Sequence, residues 1–179
     1  MQVSSSRRRQ SYSQGEAAEA SLADLLSRRG SIVQQHPRNT HRNYADKVDL
    51  DVVTRSGQHF AIEVKSHKAG VNGHILLEVI GAKGYPGWLQ GKADFIAQER
   101  PDEWWFYERQ KVYDYLIETY GDFKTANVTR LTVGQSKPVR QWIGRQGKND
   151  YGTEQQDVFI LLPVSEIENF VSTRLQKTN

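Results

Sequence analysis

Two neighbouring stretches of the chain alternate between apolar and polar positions with a period of two. Leu50, Val52 and Thr54 alternate with Asp49, Asp51 and Val53; after Ser56 and Gly57, Phe60, Ile62 and Val64 alternate with Ala61, Glu63 and Lys65. A period of two is that of a half-buried strand, and the glycine between the runs marks a hairpin turn. A three-residue loop over residues 56–58 pairs Asp51 with Glu63 and Asp49 with Lys65. Opposed residues share a face. One face then collects Leu50, Val52, Thr54, Phe60, Ile62 and Val64, and the other collects Asp49, Asp51, Glu63 and Lys65. A two-residue loop would set Asp51 opposite Ile62 and mix the faces, which a sheet buried on one side resists.

Upstream, Ala18, Leu22, Leu25 and Leu26 recur at helical spacing and predict a helix over 14–29, stopped at Gly30. Glu19 lies on the flank of that stripe and can face the space between helix and sheet, whereas Glu16 turns toward solvent. Residues 1–13, rich in Ser, Arg and Gln, predict a disordered basic tail. Ile32 and Val33 make a short strand, and 34–47 a polar, basic loop carrying His36, Arg38, His41 and Arg42. Downstream come strands at 74–80 (interrupted by Glu78), near 93–98 and at 104–107, a helix at 111–120, and strands at 126–133 and 158–162. Residues 134–156 read as a long Gly/Gln loop bearing Lys137, Arg140, Arg145 and Lys148. Ser165 and Glu168 form a capping box ahead of a last helix with Ile167, Phe170, Val171 and Leu175 inward. The pattern predicts one α/β domain over 14–179, a central mixed sheet flanked by helices.

Composition narrows the chemistry. The 179 residues include no cysteine, which removes disulfides, thiol nucleophiles and cysteine zinc sites and agrees with a cytoplasmic setting. No apolar run approaches the roughly 18 residues that span a bilayer, and the N-terminus has no secretory apolar segment. The net charge of +3 permits nucleic-acid binding without requiring it. Acids side by side on a sheet repel unless a proton or a cation lies between them. Oxygen ligands from one or two acids, completed by water, suit Mg2+ or Mn2+, and the neighbouring lysine can offset charge or orient a water. The plainer alternative is an edge hairpin with a solvated charged face.

An Asp followed about a dozen residues later by Glu63-Val64-Lys65 resembles the PD-(D/E)xK nuclease superfamily. Gly15, Glu19, the leucine stripe and Gly30, continued through Ile32-Val33, Lys47 to Leu50 and Ile62 to Lys65, resemble archaeal-type Holliday junction resolvases over residues 14–66. The middle block, with Glu78, Gly87-Trp88 and Ala93-Asp94, resembles phage-encoded members of the superfamily. The resemblance implies a restriction-endonuclease-like core and a magnesium- or manganese-dependent endonuclease acting on DNA in a host cytoplasm, as a homodimer by family analogy. It implies that Asp51 and Glu63, with the Val64 carbonyl, hold the metal, that Lys65 orients the attacking water, and that Glu19 completes the site. The family spacing falls between those of Asp49 and Asp51; the register above favours Asp51, with Asp49 as the alternative. By the same resemblance Trp88 and Lys92 lie near the substrate. Arg38, Arg42, Lys68, Lys137, Arg140 and Arg145 are the candidate nucleic-acid contacts. Two other readings stay open: a module that grips nucleic acid without cutting it, and a subunit of a larger repair or restriction assembly.

Overall fold

A computed structural model describes residues 5–67, 70–71, 73–81, 85–120, 140–143, 147–148, 154–155 and 158–177. In chain order the elements are α1 (Ser5–Arg28), β1 (Ile32–Gln35), α2 (His41–Tyr44), β2 (Leu50–Val53), β3 (His59–Lys65), β4 (Gly70–Val71), β5 (His74–Ile80), β6 (Phe95–Glu99), β7 (Glu103–Glu108) and α3 (Arg109–Tyr120). They continue with β8 (Arg140–Ile143), β9 (Gly147–Lys148), β10 (Glu154–Gln155), β11 (Val158–Pro163), α4 (Val164–Ile167) and β12 (Val171–Gln176). The class is α/β, as the pattern predicts, and the chain forms two compact units. The first comprises Met1–His67, Lys92–Phe106 and Ser172–Asn179; the second comprises Lys68–Gly91 and Tyr107–Val171.

The first unit is built on a mixed six-stranded sheet in the order β1-β2-β3-β6-β7-β12. β1, β2 and β3 pair antiparallel, and β3 pairs parallel with β6. Helix α1 lies on the apolar face. Ala18, Leu22, Leu25 and Leu26 pack with Leu50, Val52, Ile62, Val64, Ala97, Trp104 and Phe106 in one buried cluster. The predicted stripe and the predicted apolar hairpin face thus meet each other. The helix starts at Ser5, well inside the segment expected as a tail.

The hairpin has the predicted loop length but a different loop. Residues 55–57 form it, closed by Thr54 N–H to the Gln58 carbonyl at 2.8 Å, with Gly57 last at φ 82°. A glycine in the left-handed region commonly ends a three-residue hairpin loop, and that places the loop one residue earlier than 56–58. The faces survive, because the shift moves the pairing by an even number. The partners change: Asp51 lies opposite Ala61 and Leu50 opposite Ile62, and the Asp49 N–H bonds to the Ile62 carbonyl at 2.9 Å, so the pairing that would set Asp51 opposite Glu63 does not form.

The second unit holds a four-stranded antiparallel sheet, β4-β5-β11-β8, and a two-stranded pair, β9 with β10. Ile75, Leu77 and Val79 of β5 are buried, as are Ile160 and Leu162 of β11 and Val112 and Leu116 of α3. Glu78 falls on the half-buried face of an alternating strand, which explains an acid in that apolar run without a special role. Trp88 is buried.

The predicted C-terminal helix is a correction. Only the single turn α4 and a 3-10 turn over Glu168–Phe170 form, with no side-chain cap, and the chain then extends as β12 beside β7. Ser172 Oγ donates to the Phe106 carbonyl at 3.1 Å and Lys177 N–H to the Asp102 carbonyl at 2.9 Å. An open sheet edge and the β-branched pair Val171 and Thr173 outweigh the helical spacing. The expected strand at 126–133 lies outside the described residues, and of the expected 134–156 loop only the backbone of three short strands is described.

Leu22, fully buried where α1 meets the sheet, is the packing test. Leu22→Ala is expected to cost about 2–5 kcal/mol, read as a lower urea midpoint; an unchanged midpoint would contradict this packing.

Candidate active site

The end of the hairpin is shaped by a turn that the sequence hides. Thr40 caps α2 by accepting the Asn43 N–H, and Lys47 takes a positive φ of 58°, rare for a residue with a side chain. The chain thereby swings into β2 with Asp49 at its threshold. Asp49 Oδ2 accepts the Val64 N–H at 2.7 Å and Oδ1 accepts Asn43 Nδ2 at 2.6 Å. The carboxylate thus replaces a ladder carbonyl where the strands part, and it is fixed from two sides.

Glu63 follows on the same face of β3, and the Lys65 ammonium hydrogen-bonds to its Oε1. Glu19 comes from α1 and accepts Gln35 Nε2 at 3.2 Å. Glu19, Asp49 and Glu63 are 7%, 6% and 6% exposed, an unusual burial for three acids. Burial, and then the Asp49 charge, raise Glu19 above the usual carboxylate range. Burial pushes Glu63 up to about 8; Lys65 opposes this and Asp49 adds to it. Lys65 also acts on Glu19. Four of the expected residues, Glu19, Asp49, Glu63 and Lys65, therefore form one electrostatic group, with Val64 between them on β3.

Asp51 stands apart from this group, and the register that favoured it is not the one the sheet adopts. Both its oxygens are taken by Arg42, at 2.6 and 3.0 Å, and Oδ2 also meets His36 Nε2 at 2.8 Å. The Arg42 hydrogen bonds hold Asp51 below its ordinary range. Asp46 joins this network through Arg42 and through Lys92, whose Nζ is 2.8 Å away. A cleft of about 450 Å³ opens beside Asp51 and is lined by Gln34, Arg42, His59 and Asp94, but by neither Asp49 nor Glu63. Arg42, expected as a phosphate contact, is thus committed to Asp51. Arg38 instead lies by Glu19, whose carboxylate it influences. Lys68, Lys137 and Arg145 lie outside the described residues, as does the side chain of Arg140.

Lys47 is the residue the sequence reading misses: its charge acts on Glu63. A lysine directly before a strand carries no signal of a left-handed turn. Placing Gly57 at the end of the loop, where a left-handed glycine belongs, yields the observed register.

The donor set suits a hard divalent cation. Glu19 and Glu63, whose proton affinity is raised by burial and by the Asp49 charge, can exchange a proton for a metal ion, and each carboxylate has more lone pairs than its present bonds use. Among the described residues, no three His, Asp or Glu side chains are gathered as a ready-made metal cage. Among them, too, no helix is long and apolar enough to cross a membrane. No protein-family model, curated protein or solved structure matches the chain.

The raised Glu63 makes a prediction independent of activity. A carboxyl bound to its proton more tightly when folded stabilises fully below its unfolded value near 4.5, and that stability is lost as pH rises toward about 8. In EDTA the melting temperature should fall between these limits, and Glu63→Gln should flatten the slope. Asp51 is shifted in the opposite direction and acts only at lower pH. An equally steep slope in Glu63→Gln would refute the assignment.

Proposed function

We propose that this chain is a metal-dependent nuclease of the PD-(D/E)xK kind, with a restriction-endonuclease-like core, that hydrolyses phosphodiester bonds in DNA. The observation that carries the proposal is the convergence of buried Glu19, Asp49 and Glu63 with Lys65 at one end of a hairpin. Asp49 and Glu63, with the Val64 carbonyl, would hold magnesium or manganese. When bound, such an ion supplies Lewis-acid polarisation of a phosphoryl oxygen and lowers the pKa of a coordinated water. Asp49 is pre-set for this role by Asn43 and the Val64 N–H, so little reorganisation is needed. Lys65 is paired with Glu63, and its ammonium would orient the attacking water and offset charge on the phosphoryl oxygens. Glu19, held by Gln35, can accept a proton from that water. No covalent intermediate with the protein is needed.

A second reading, a module that binds nucleic acid without cutting it, is favoured by one feature. In the present arrangement every acid of the group already has a protein donor: Asn43 and Val64 for Asp49, Lys65 for Glu63, Gln35 for Glu19.

Cleavage separates the two. At least one of labelled linear duplex, single strand and four-way junction DNA should be cut in Mg2+ or Mn2+ and left intact in EDTA. Lys65→Ala should lower the rate by about 10²-fold or more, the scale of losing one transition-state charge partner. Binding without cutting on every substrate and in either metal would select the binding module.

A further inference from the structure

Two cation–aromatic pairs lie within electrostatic reach of the carboxylate group. Among the described residues few large hydrophobic side chains are strongly exposed; Tyr12 at 53% and Tyr44 at 61% are two of them. The Arg38 guanidinium lies over the Tyr12 ring, 4.3 Å from its centroid, and Nη2 donates to the Tyr12 carbonyl at 3.3 Å. The helix is cut away to admit it. A Cβ on Gly15 would come within 3.2 Å of Arg38 Nη2. Glycine within a helix costs roughly 0.5–1 kcal/mol relative to alanine, so its presence between Tyr12 and Glu19 suits a guanidinium laid along this face. Glu16 Oε1 lies 3.4 Å from Arg38 Nε, and Arg38 acts on Glu19.

The second pair is Tyr44 and Lys47, with Nζ 5.1 Å from the ring centroid. Tyr44 ends the one-turn helix α2, and Lys47 holds the strained positive φ that turns the chain toward Asp49. The Lys47 charge reaches Glu63. One pair therefore lies within electrostatic reach of Glu19 and the other within that of Glu63. In each, a ring of a residue more than half exposed carries a cation over one face, and an aromatic ring beside a cation is the combination that receives a base and its phosphate in single-strand binders. Bases in an intact duplex are stacked on one another and offer such rings no face; unpaired bases do.

We propose that the site takes a nucleic-acid strand whose bases are unpaired beside the cut, with bases stacked on Tyr12 and Tyr44 and phosphates held by Arg38 and Lys47. The proposal rests on the reading of the site as one that acts on nucleic acid, and it names the substrate class.

The test is fluorescence anisotropy in Ca2+ buffer with a labelled single strand and its blunt duplex, for the full chain, Tyr12→Ala, Tyr44→Ala and Tyr44→Phe. The single strand is expected to bind about tenfold more tightly than the duplex, each alanine variant to lose about that factor on the single strand alone, and Tyr44→Phe to keep it, since stacking needs only the ring. Melting temperatures should be unchanged, because both rings are more than half exposed. Equal affinity for the two DNAs, or alanine variants that bind the single strand as well as the parent, would overturn the proposal. Cleavage of the same DNAs in Mn2+ keeps the two claims apart. Cutting without a single-strand preference retains the nuclease and overturns this substrate class. A preference lost in the alanine variants, without cutting, retains the substrate class and overturns the nuclease.

Discussion

The hydrogen bond from the Val64 N–H to Asp49 Oδ2 is the contact on which the candidate site depends. It lies where β2 and β3 separate, so the Val64 amide has lost its regular ladder partner and is buried. A buried amide left unpaired costs about 1–3 kcal/mol, and the Asp49 carboxylate removes that cost. In doing so it is pulled onto the end of β3, at the amide of the residue that lies between Glu63 and Lys65. The same bond that ends the hairpin therefore brings the acids together, and the Lys47 turn and the Asn43 side chain hold Asp49 to it.

Two acidic groups on this face solve the problem of burial differently. Asp51 has a guanidinium and an imidazole, is held low, and is satisfied as an ion pair. Glu63 and Glu19 are pushed up, because burial and the Asp49 charge exceed what Lys65, Lys47 and Arg38 return. A closed, neutralised network braces the loop against the sheet. An under-neutralised group favours protons or cations, and that imbalance, rather than the number of acids, separates a candidate site from a structural cluster.

Much of this was legible in the sequence. The period-two runs located both strands of the hairpin and their two faces; the leucine stripe located α1 and placed Glu19 inward and Glu16 outward. What failed was decided by geometry that periodicity does not carry. The choice between Asp49 and Asp51 turned on one glycine at the end of a loop rather than in its middle. The C-terminal strand was hidden because Ile167, Phe170, Val171 and Leu175 fit a helix locally, while β7, the strand beside which β12 extends, is more than sixty residues away in sequence. The start of α1 was hidden by composition: Ser, Arg and Gln supply no apolar stripe, and yet the helix extends back to Ser5. Lys47 and Tyr44 had no pattern at all, since their significance comes from a backbone turn.

The most direct test of the central claim is a calorimetric titration of Mn2+ into the full chain, Asp49→Asn and Asp51→Asn. The account predicts that the parent takes up Mn2+ with release of protons, that Asp49→Asn loses the uptake, and that Asp51→Asn retains it, because Asp51 is bound to Arg42 and His36. Uptake that survives Asp49→Asn but disappears in Asp51→Asn, or a parent protein that takes up no Mn2+, would contradict it.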